Sequence, residues 1–217
     1  DQPPGHVIAA IAIAILRRGD GDQGLGPAMK IPAVAAGHEH RLDLLLAYGD
    51  DRAVAGPAHV RWLANVPVHF EPMCLLIPAS GAPSLLWGPE SDRYALRVGQ
   101  VADVRVLREF THPDEDYPYS RIESLSEIVR AVAGDPGRLR RVGLAGGSLM
   151  SAETVTALHA ALPAAEWVDV ERPVGELRGQ KSAAELAVIR HAYGIAEVGL
   201  AAAVDAIRPG VAERAVA

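Results

Sequence analysis

The sequence predicts an α/β fold in three layers, with a mixed, mostly parallel sheet, helices on both faces and a long carboxyl-terminal helix. From residue 42 onward, short apolar runs of strand length alternate with segments of helical periodicity. Strands separated by helices pair in parallel through crossovers that cover both faces of a sheet. The long helix follows from apolar residues that recur every three or four positions between Ser182 and Ile207.

The composition is that of a folded protein without an affinity for polyanions. Hydrophobic residues make up 49% of the 217 residues and charged residues 22%, which suffices for a sizeable core. The formal net charge is -6 and the basic residues are scattered, so we expect no nucleic-acid partner. The single cysteine, Cys74, lies in an apolar run, which predicts a small buried residue in a reducing cytoplasm.

One apolar segment near the start, Val7 to Leu16, matches the core of a signal peptide in length and is too short to span a bilayer. Arg17 and Arg18 follow this segment, whereas basic residues precede the core of a signal peptide. We therefore predict a packed helix or strand here, a cytoplasmic protein and no membrane partner.

Six apolar runs bounded by turn residues predict strands. They are Leu44 to Tyr48, Met73 to Ile77, Ser84 to Trp87, Val104 to Leu107, Arg141 to Ala145 and Glu166 to Val170. The second and third runs are joined by a turn rich in proline and glycine, so we expect them to form a hairpin.

Helical spacing and capping signals predict the intervening helices. Ser91 to Ala102 has helical periodicity, and a capping box at Ser120 to Glu123 predicts a helix that ends near Ala133. Ser151 is positioned to cap a helix that runs to Leu162, and a short helical turn is expected at Val174 to Leu177.

The long helix begins with a second capping box, Ser182 to Glu185, and Pro209-Gly210 ends it. At 1.5 Å per residue it would be roughly 39 Å long, more than this domain needs for its own core. Its apolar stripe therefore predicts a partner, which could be another domain, another chain or the preceding domain folded back. The residues of the stripe are Leu186, Ile189, Tyr193, Ala196, Leu200, Ala203 or Val204, and Ile207.

Two motifs near the carboxyl end resemble those of a known family. Arg178-Gly179-Gln180-Lys181-Ser182 with Glu185, and later Gly210-Val211-Ala212-Glu213, look like the first helix of the pita-bread catalytic domain of the creatinase/prolidase/aminopeptidase P metallopeptidases. Upstream, the residues 42–50, the stretch Val60 to Asn65 and the hairpin are similar to the amino-terminal domain of those enzymes. The resemblance implies a creatinase/prolidase amino-terminal-like domain over residues 38–173, and a linker with the first helix of a catalytic domain over residues 174–217. Residues 1–37 stay unassigned.

The resemblance also implies what chemistry the chain lacks. Enzymes of this family hold two divalent metal ions (Mn, Co or Zn) with two aspartates, a histidine and two glutamates, all located after the first helix of the catalytic domain. The resemblance therefore implies two such ions for the full-length protein, but neither metal ligands nor catalytic residues within this chain, which we expect to be inactive alone.

Three local clusters offer other chemistry. His38-Glu39-His40 resembles a metal site, but a spacing of two aims both rings together only in a strand. The acidic stretch from His112 to Pro118 is typical of a solvated loop. Gly143 to Ser148 lies between a strand and a helix, where a phosphate-binding loop would lie, yet its spacing matches no known phosphate-binding motif, and Ser148 lacks the setting of a catalytic nucleophile.

The segment Val66 to Pro72 has a functional prediction of its own, because the resemblance implies that this loop reaches the active-site mouth of a neighbouring subunit. Within it, His69, Phe70 and Glu71 are the predicted substrate-pocket contacts. The prolines on both sides would present them rigidly. The alternative is a turn with Phe70 packed into the core.

The sequence thus predicts a non-catalytic domain that serves a homodimer contact and shapes the substrate pocket of a metal-dependent Xaa-Pro peptidase or amidinohydrolase. The expected partners are a catalytic domain, a second copy of the chain, and a peptide or small amide substrate. One alternative is a self-standing small-ligand or nucleotide-binding module that uses the loop at residues 143–148. Another is a pure dimerisation module.

Overall fold

The structure is a computed structural model that describes residues 42–52, 56, 58–67 and 70–216. The described residues form two compact units, one ending at Gly179 and the other beginning at Gln180. The predictions for residues 1–37 and for His38-Glu39-His40 lie outside the described residues.

The first unit is built on a seven-stranded sheet. The strands are β1 (Leu44–Gly49), β2 (Met73–Pro78), β3 (Ser84–Trp87), β4 (Asp103–Leu107), β5 (Ile122–Glu123), β6 (Arg141–Ala145) and β7 (Glu166–Asp169). Their order in the sheet is β5-β4-β3-β2-β1-β6-β7. β2 is antiparallel to both of its neighbours, β1 and β3, whereas the other pairs are parallel. The predicted mixed, mostly parallel sheet and its β2–β3 hairpin are therefore confirmed.

Six α-helices accompany the described strands. They are α1 (Ala58–Ala64), α2 (Asp92–Val98), α3 (Leu125–Ala133), α4 (Ala152–Ala161), α5 (Glu171–Gly179) and α6 (Ala183–Ala206). A short 3-10 helix, Gly147–Leu149, follows β6. α5 belongs to the unit that contains the sheet, beyond the boundary predicted at residue 173.

The sheet is buried on both faces, which explains why its strands are continuous apolar runs. Every residue of β1 and of β2 is buried. Alternate residues of these strands enter two separate cores. One core includes Val60, Leu63, Ala95 and Val174 from α1, α2 and α5, and the other includes Leu125, Ile128, Val129 and Leu158 from α3 and α4. The sheet thus has a helical layer on each side.

The lone cysteine behaves as the sequence predicts. Cys74 lies on β2 and is 4% exposed, within the core that contains α3 and α4. Burial raises the pKa of its thiol to about 12, so Cys74 is a small apolar residue of the core.

Two helix starts differ from the prediction. The capping box predicted at Ser120 is wrong, because Ile122 pairs with Val106 and its backbone belongs to β5. The box lies four residues later, where the Ser124 hydroxyl accepts the N–H of Glu127 and the Glu127 carboxylate accepts the N–H of Ser124. α5 begins at Glu171, before the predicted turn, since Pro173 is tolerated in a first turn whose N–H groups have no helical partner.

The second unit contains α6, which starts as predicted. The Ser182 hydroxyl accepts the N–H of Glu185 at 3.2 Å, and the Glu185 carboxylate accepts the N–H of Ser182 at 2.7 Å. None of the residues of this helix is buried. Apolar residues outside the predicted stripe, such as Val188, Ile195 and Val198, are exposed as well.

By length and composition alone, α6 could also cross a membrane. A stretch of 18 residues within it has a mean hydropathy of 1.3. No other helix among the described residues is long and apolar enough to cross a membrane. A single helix of this kind is weak support for a membrane span, because core helices of water-soluble proteins have the same composition.

Candidate functional site

Several polar groups of the first unit lie at the carboxyl-terminal edge of the sheet. The parallel strands all end at this edge, and β2 begins there because it runs in the opposite direction. The segment before β2 therefore lies beside the ends of β1 and β3. In open α/β sheets this edge is where ligands bind.

The turn after β1 is held by a buried carboxylate. Asp50 is 3% exposed, and its side chain accepts the N–H of Arg52 at 2.9 Å and the phenol of Tyr48 at 3.2 Å. The Arg52 guanidinium also forms an ion pair with Asp50. Burial alone would raise the pKa of Asp50, but the bonds from Arg52 and Tyr48 outweigh it and hold this pKa below its ordinary value. The turn that follows β1 is thereby fixed to the end of the strand.

Phe70 is attached to this turn and exposes its ring. Its N–H donates to Asp51 Oδ2 at 2.8 Å, and 66% of the residue is exposed. The predicted alternative, in which Phe70 packs into the core, is therefore wrong. The φ angle of Phe70 is 71°, a left-handed conformation that costs a residue with a side chain roughly 1–2 kcal/mol. Such a conformation persists only where neighbouring contacts hold it.

Glu71 points the other way and is buried. It is 3% exposed, and its Oε1 accepts the N–H of Glu90 at 3.3 Å. A Cβ at Gly88 would overlap the Glu71 carboxylate, so a side chain at this position would displace Glu71 from its place. Burial raises the pKa of Glu71, against the lowering effect of hydrogen bonds from Ser91 and Glu90. This burial does not suit the predicted contact between the Glu71 side chain and a substrate. The Glu71 side chain instead attaches its own segment to Glu90, in the turn that precedes α2.

The outcome therefore differs among the three residues that were predicted to contact the substrate pocket. His69 lies outside the described residues, Phe70 is exposed, and Glu71 is an internal anchor. A cleft of about 460 Å³ borders the segment through Glu90. Its lining residues are Pro89, Glu90, Asp92, Arg93 and Tyr119.

A second polar cluster at this edge has no counterpart among the predicted sites. His59 of α1 is buried, and its Nε2 lies 2.7 Å from Glu171 Oε1 at the start of α5. Glu171 Oε2 accepts the N–H of Gly146 at 2.5 Å. Burial would raise the pKa of Glu171, but the bonds from His59 and Gly146 outweigh it and hold this pKa below its ordinary value. Since His59 and Glu171 are 112 residues apart, no local pattern reveals the pair.

The glycine-rich loop after β6 borders a cleft with a negative lining. The cleft has a volume of about 330 Å³, and its lining includes Gly147, Ser148, Trp167, Asp169 and Glu171. The N–H of Gly146, one of the backbone donors of this loop, already donates to the Glu171 carboxylate. Two carboxylates in the lining oppose the entry of an anion.

The remaining predicted cluster lies on the surface. Residues 112–116 are all exposed, and Tyr117 donates its hydroxyl to Glu115 at 2.9 Å. Throughout the part of the chain that the structure describes, no three His, Cys, Asp or Glu side chains are grouped in a way that could hold a metal ion.

Comparisons with known structures agree with this fold. The prolidase from Pyrococcus horikoshii OT3 superimposes with a TM-score of 0.57 at 16% identity, over 81% of this chain and 42% of that chain. The X-Pro aminopeptidase from Thermotoga maritima MSB8 gives a TM-score of 0.58 at 17% identity, over 81% of this chain and 44% of that chain. This chain therefore spans less than half the length of these proteins. No curated protein sequence matches it.

Sequence comparison identifies the family directly. The family model for the Creatinase/Prolidase N-terminal domain matches residues 38–180, which is more than half of the chain. The match covers the entire described sheet, from β1 to β7, together with α1 to α5. The chain therefore belongs to the creatinase/prolidase amino-terminal domain family.

Proposed function

We propose that this chain is the non-catalytic amino-terminal part of a metal-dependent Xaa-Pro peptidase or amidinohydrolase, where it serves dimer contact and shapes the substrate pocket. The observation that carries the proposal is Phe70, an aromatic residue 66% exposed on a segment anchored on both sides. An exposed aromatic ring with little freedom is well suited to an apolar contact with a proline-containing peptide.

Catalysis in this proposal belongs to another part of the protein. The family implies two divalent metal ions, such as Mn, Co or Zn, for the whole enzyme. The described residues do not fit such a site, since none of their His, Cys, Asp and Glu side chains form a suitable group. We therefore assign no chemical step to this chain and give it a role in substrate recognition alone.

The alternative role, nucleotide binding at the loop after β6, has weaker support. The cleft at this loop is lined by Asp169 and Glu171, and the latter occupies the N–H of Gly146. A phosphate group would meet two carboxylates and would find that N–H already bonded. The geometry favours a neutral or cationic small ligand over a nucleotide at this loop.

Kinetics of the full-length enzyme that this proposal implies would test it. Replacing Phe70 with Ala should raise KM for Xaa-Pro dipeptides by about threefold to tenfold and leave kcat within about twofold, because a binding contact is lost. Leu96→Ala is the matched control, since it removes another apolar side chain, 57% exposed, from α2 of the same domain. Equal KM values for the Phe70→Ala variant and the control would contradict the proposal.

A further inference from the structure

Phe70 and Glu71 are neighbours in sequence with opposite environments. The ring of Phe70 is 66% exposed, whereas Glu71 is 3% exposed, with its carboxylate packed against Gly88. The left-handed backbone conformation of Phe70 lies between the exposed ring and the buried carboxylate. A chain without constraints would leave this conformation readily, because residues with a side chain disfavour it.

Two acidic side chains hold the backbone on either side of the ring. Asp51 accepts the N–H of Phe70 itself at 2.8 Å, and Glu71 accepts the N–H of Glu90 at 3.3 Å. Asp51 directly follows Asp50, whose side chain accepts hydrogen bonds from Tyr48 and Arg52 at the end of β1. Phe70 and Glu71 are therefore attached to the turn after β1 and to the turn that precedes α2.

We propose that Asp51 and Glu71 are positioning residues that hold Phe70 in its left-handed backbone conformation and so preorganise its exposed ring for binding. This inference rests on the proposed function for its link to substrate. Preorganisation adds affinity because the bound complex then loses less conformational freedom. Neither carboxylate needs to touch the substrate in this arrangement.

Fluorine NMR on the full chain tests the positioning directly. The chain has two phenylalanines, so labelling with 4-fluorophenylalanine gives one resonance for exposed Phe70 and one for Phe110, which is 6% exposed. We expect Asp51→Ala and Glu71→Ala to narrow the Phe70 resonance by about twofold or more, because the ring gains fast motion. The Phe110 resonance should be unchanged and reports that each variant is folded.

Conservative and distant variants separate positioning from general destabilisation. Asp51→Asn and Glu71→Gln keep an oxygen acceptor and should retain the wild-type line width. Asp135→Ala is the matched control, because it also removes an exposed aspartate that accepts a backbone N–H, here that of Gly137 at 3.0 Å. The proposal that Asp51 and Glu71 position Phe70 would be wrong if the Phe70 resonance is already narrow in the wild type. It would also be wrong if this resonance is as broad in Asp51→Ala as in the wild type.

Kinetics then distinguish a failure of the positioning from a failure of the proposed function. In the full-length enzyme, Asp51→Ala should raise KM for Xaa-Pro dipeptides by about threefold with kcat nearly unchanged, and Asp51→Asn should restore it. If the Phe70 resonance narrows but KM stays constant, the positioning stands and the role in substrate binding falls. If Phe70→Ala raises KM while Asp51→Ala changes neither KM nor line width, the role in binding stands and the positioning falls.

Discussion

At the scale of single residues, the contact between His59 and Glu171 is the clearest candidate for a contribution to stability. Glu171 bonds both the buried His59 ring and the N–H of Gly146, and thereby connects α1, α5 and the loop after β6. The pKa of Glu171 is held below its ordinary value in the folded chain. Its ionised form therefore stabilises the fold above the pKa of the unfolded chain, and this contribution is lost as pH falls through the folded pKa.

Replacing Glu171 with Gln should lower the free energy of unfolding at pH 7 by about 1 kcal/mol, a modest value because half of this side chain is exposed. The difference from wild type should shrink as pH falls through the lowered pKa of Glu171, because the carboxyl then becomes protonated. Urea unfolding at pH 7 and at pH 3.5 would measure both effects.

Glu176→Gln provides the control for this prediction. Glu176 lies on the same helix and pairs with Arg172 at 2.8 Å, but the arginine is 80% exposed. Its replacement should change the free energy of unfolding by less than about 0.5 kcal/mol at either pH. A Glu171→Gln variant as stable as this control at pH 7 would show that the contact with His59 is unimportant.

At the scale of elements, the start of α3 shows how far local patterns reach. The sequence holds two consecutive capping boxes, Ser120 to Glu123 and Ser124 to Glu127, and nothing local decides between them. Ile122 pairs with Val106 in the sheet, so residues 120–123 cannot form the first turn of α3 and the helix begins after Ser124. The strands are easier to predict, because residues buried on both faces form unbroken apolar runs.

The candidate site around Phe70 and Glu71 was also predictable only in part, because contacts between distant segments determine it. The sequence left two alternatives for Phe70, an exposed ring or a ring packed into the core, because its anchor Asp51 is 19 residues away and lies on another turn. The burial of Glu71 depends on a close approach to Gly88. Contacts of this kind arise from the topology of the sheet and leave no periodic signal.

Alanine substitutions at the two serines would test which capping box is formed. Ser124→Ala should lower the free energy of unfolding by about 1 kcal/mol, because the N–H of Glu127 loses its acceptor at the helix start. Ser120→Ala is the matched control and should cost less than about 0.5 kcal/mol. The reverse order in thermal or urea unfolding would place the start of α3 at Ser120.

At the scale of the whole molecule, α6 presents many exposed apolar residues. Six of its large apolar residues are more than half exposed, which water disfavours. They are Val188, Tyr193, Ile195, Val198, Leu200 and Val204. We predict that the chain self-associates through this helix at tens of micromolar, as measured by light scattering.

A truncated chain provides the comparison. Removal of residues 182–217 leaves the sheet and its five helices, so the product should be a folded monomer. A truncated chain that associates as strongly as the intact one would place the contact on the first unit. A monomeric intact chain would exclude self-association through α6 at that concentration.

The position of β1 in the sheet has a consequence for synthesis on the ribosome. β1 meets β2 early, but its other neighbour is β6, with Leu44 opposite Val142. A nascent chain in which Arg141 to Ala145 are still inside the ribosome therefore carries β1, a largely apolar strand, with one unpaired edge. Unpaired apolar edges are templates for aggregation, and parallel pairing between distant segments is slow. The emergence of β6 from the ribosomal tunnel therefore allows the second edge of β1 to be paired, and we expect the risk of aggregation to fall at that stage of synthesis.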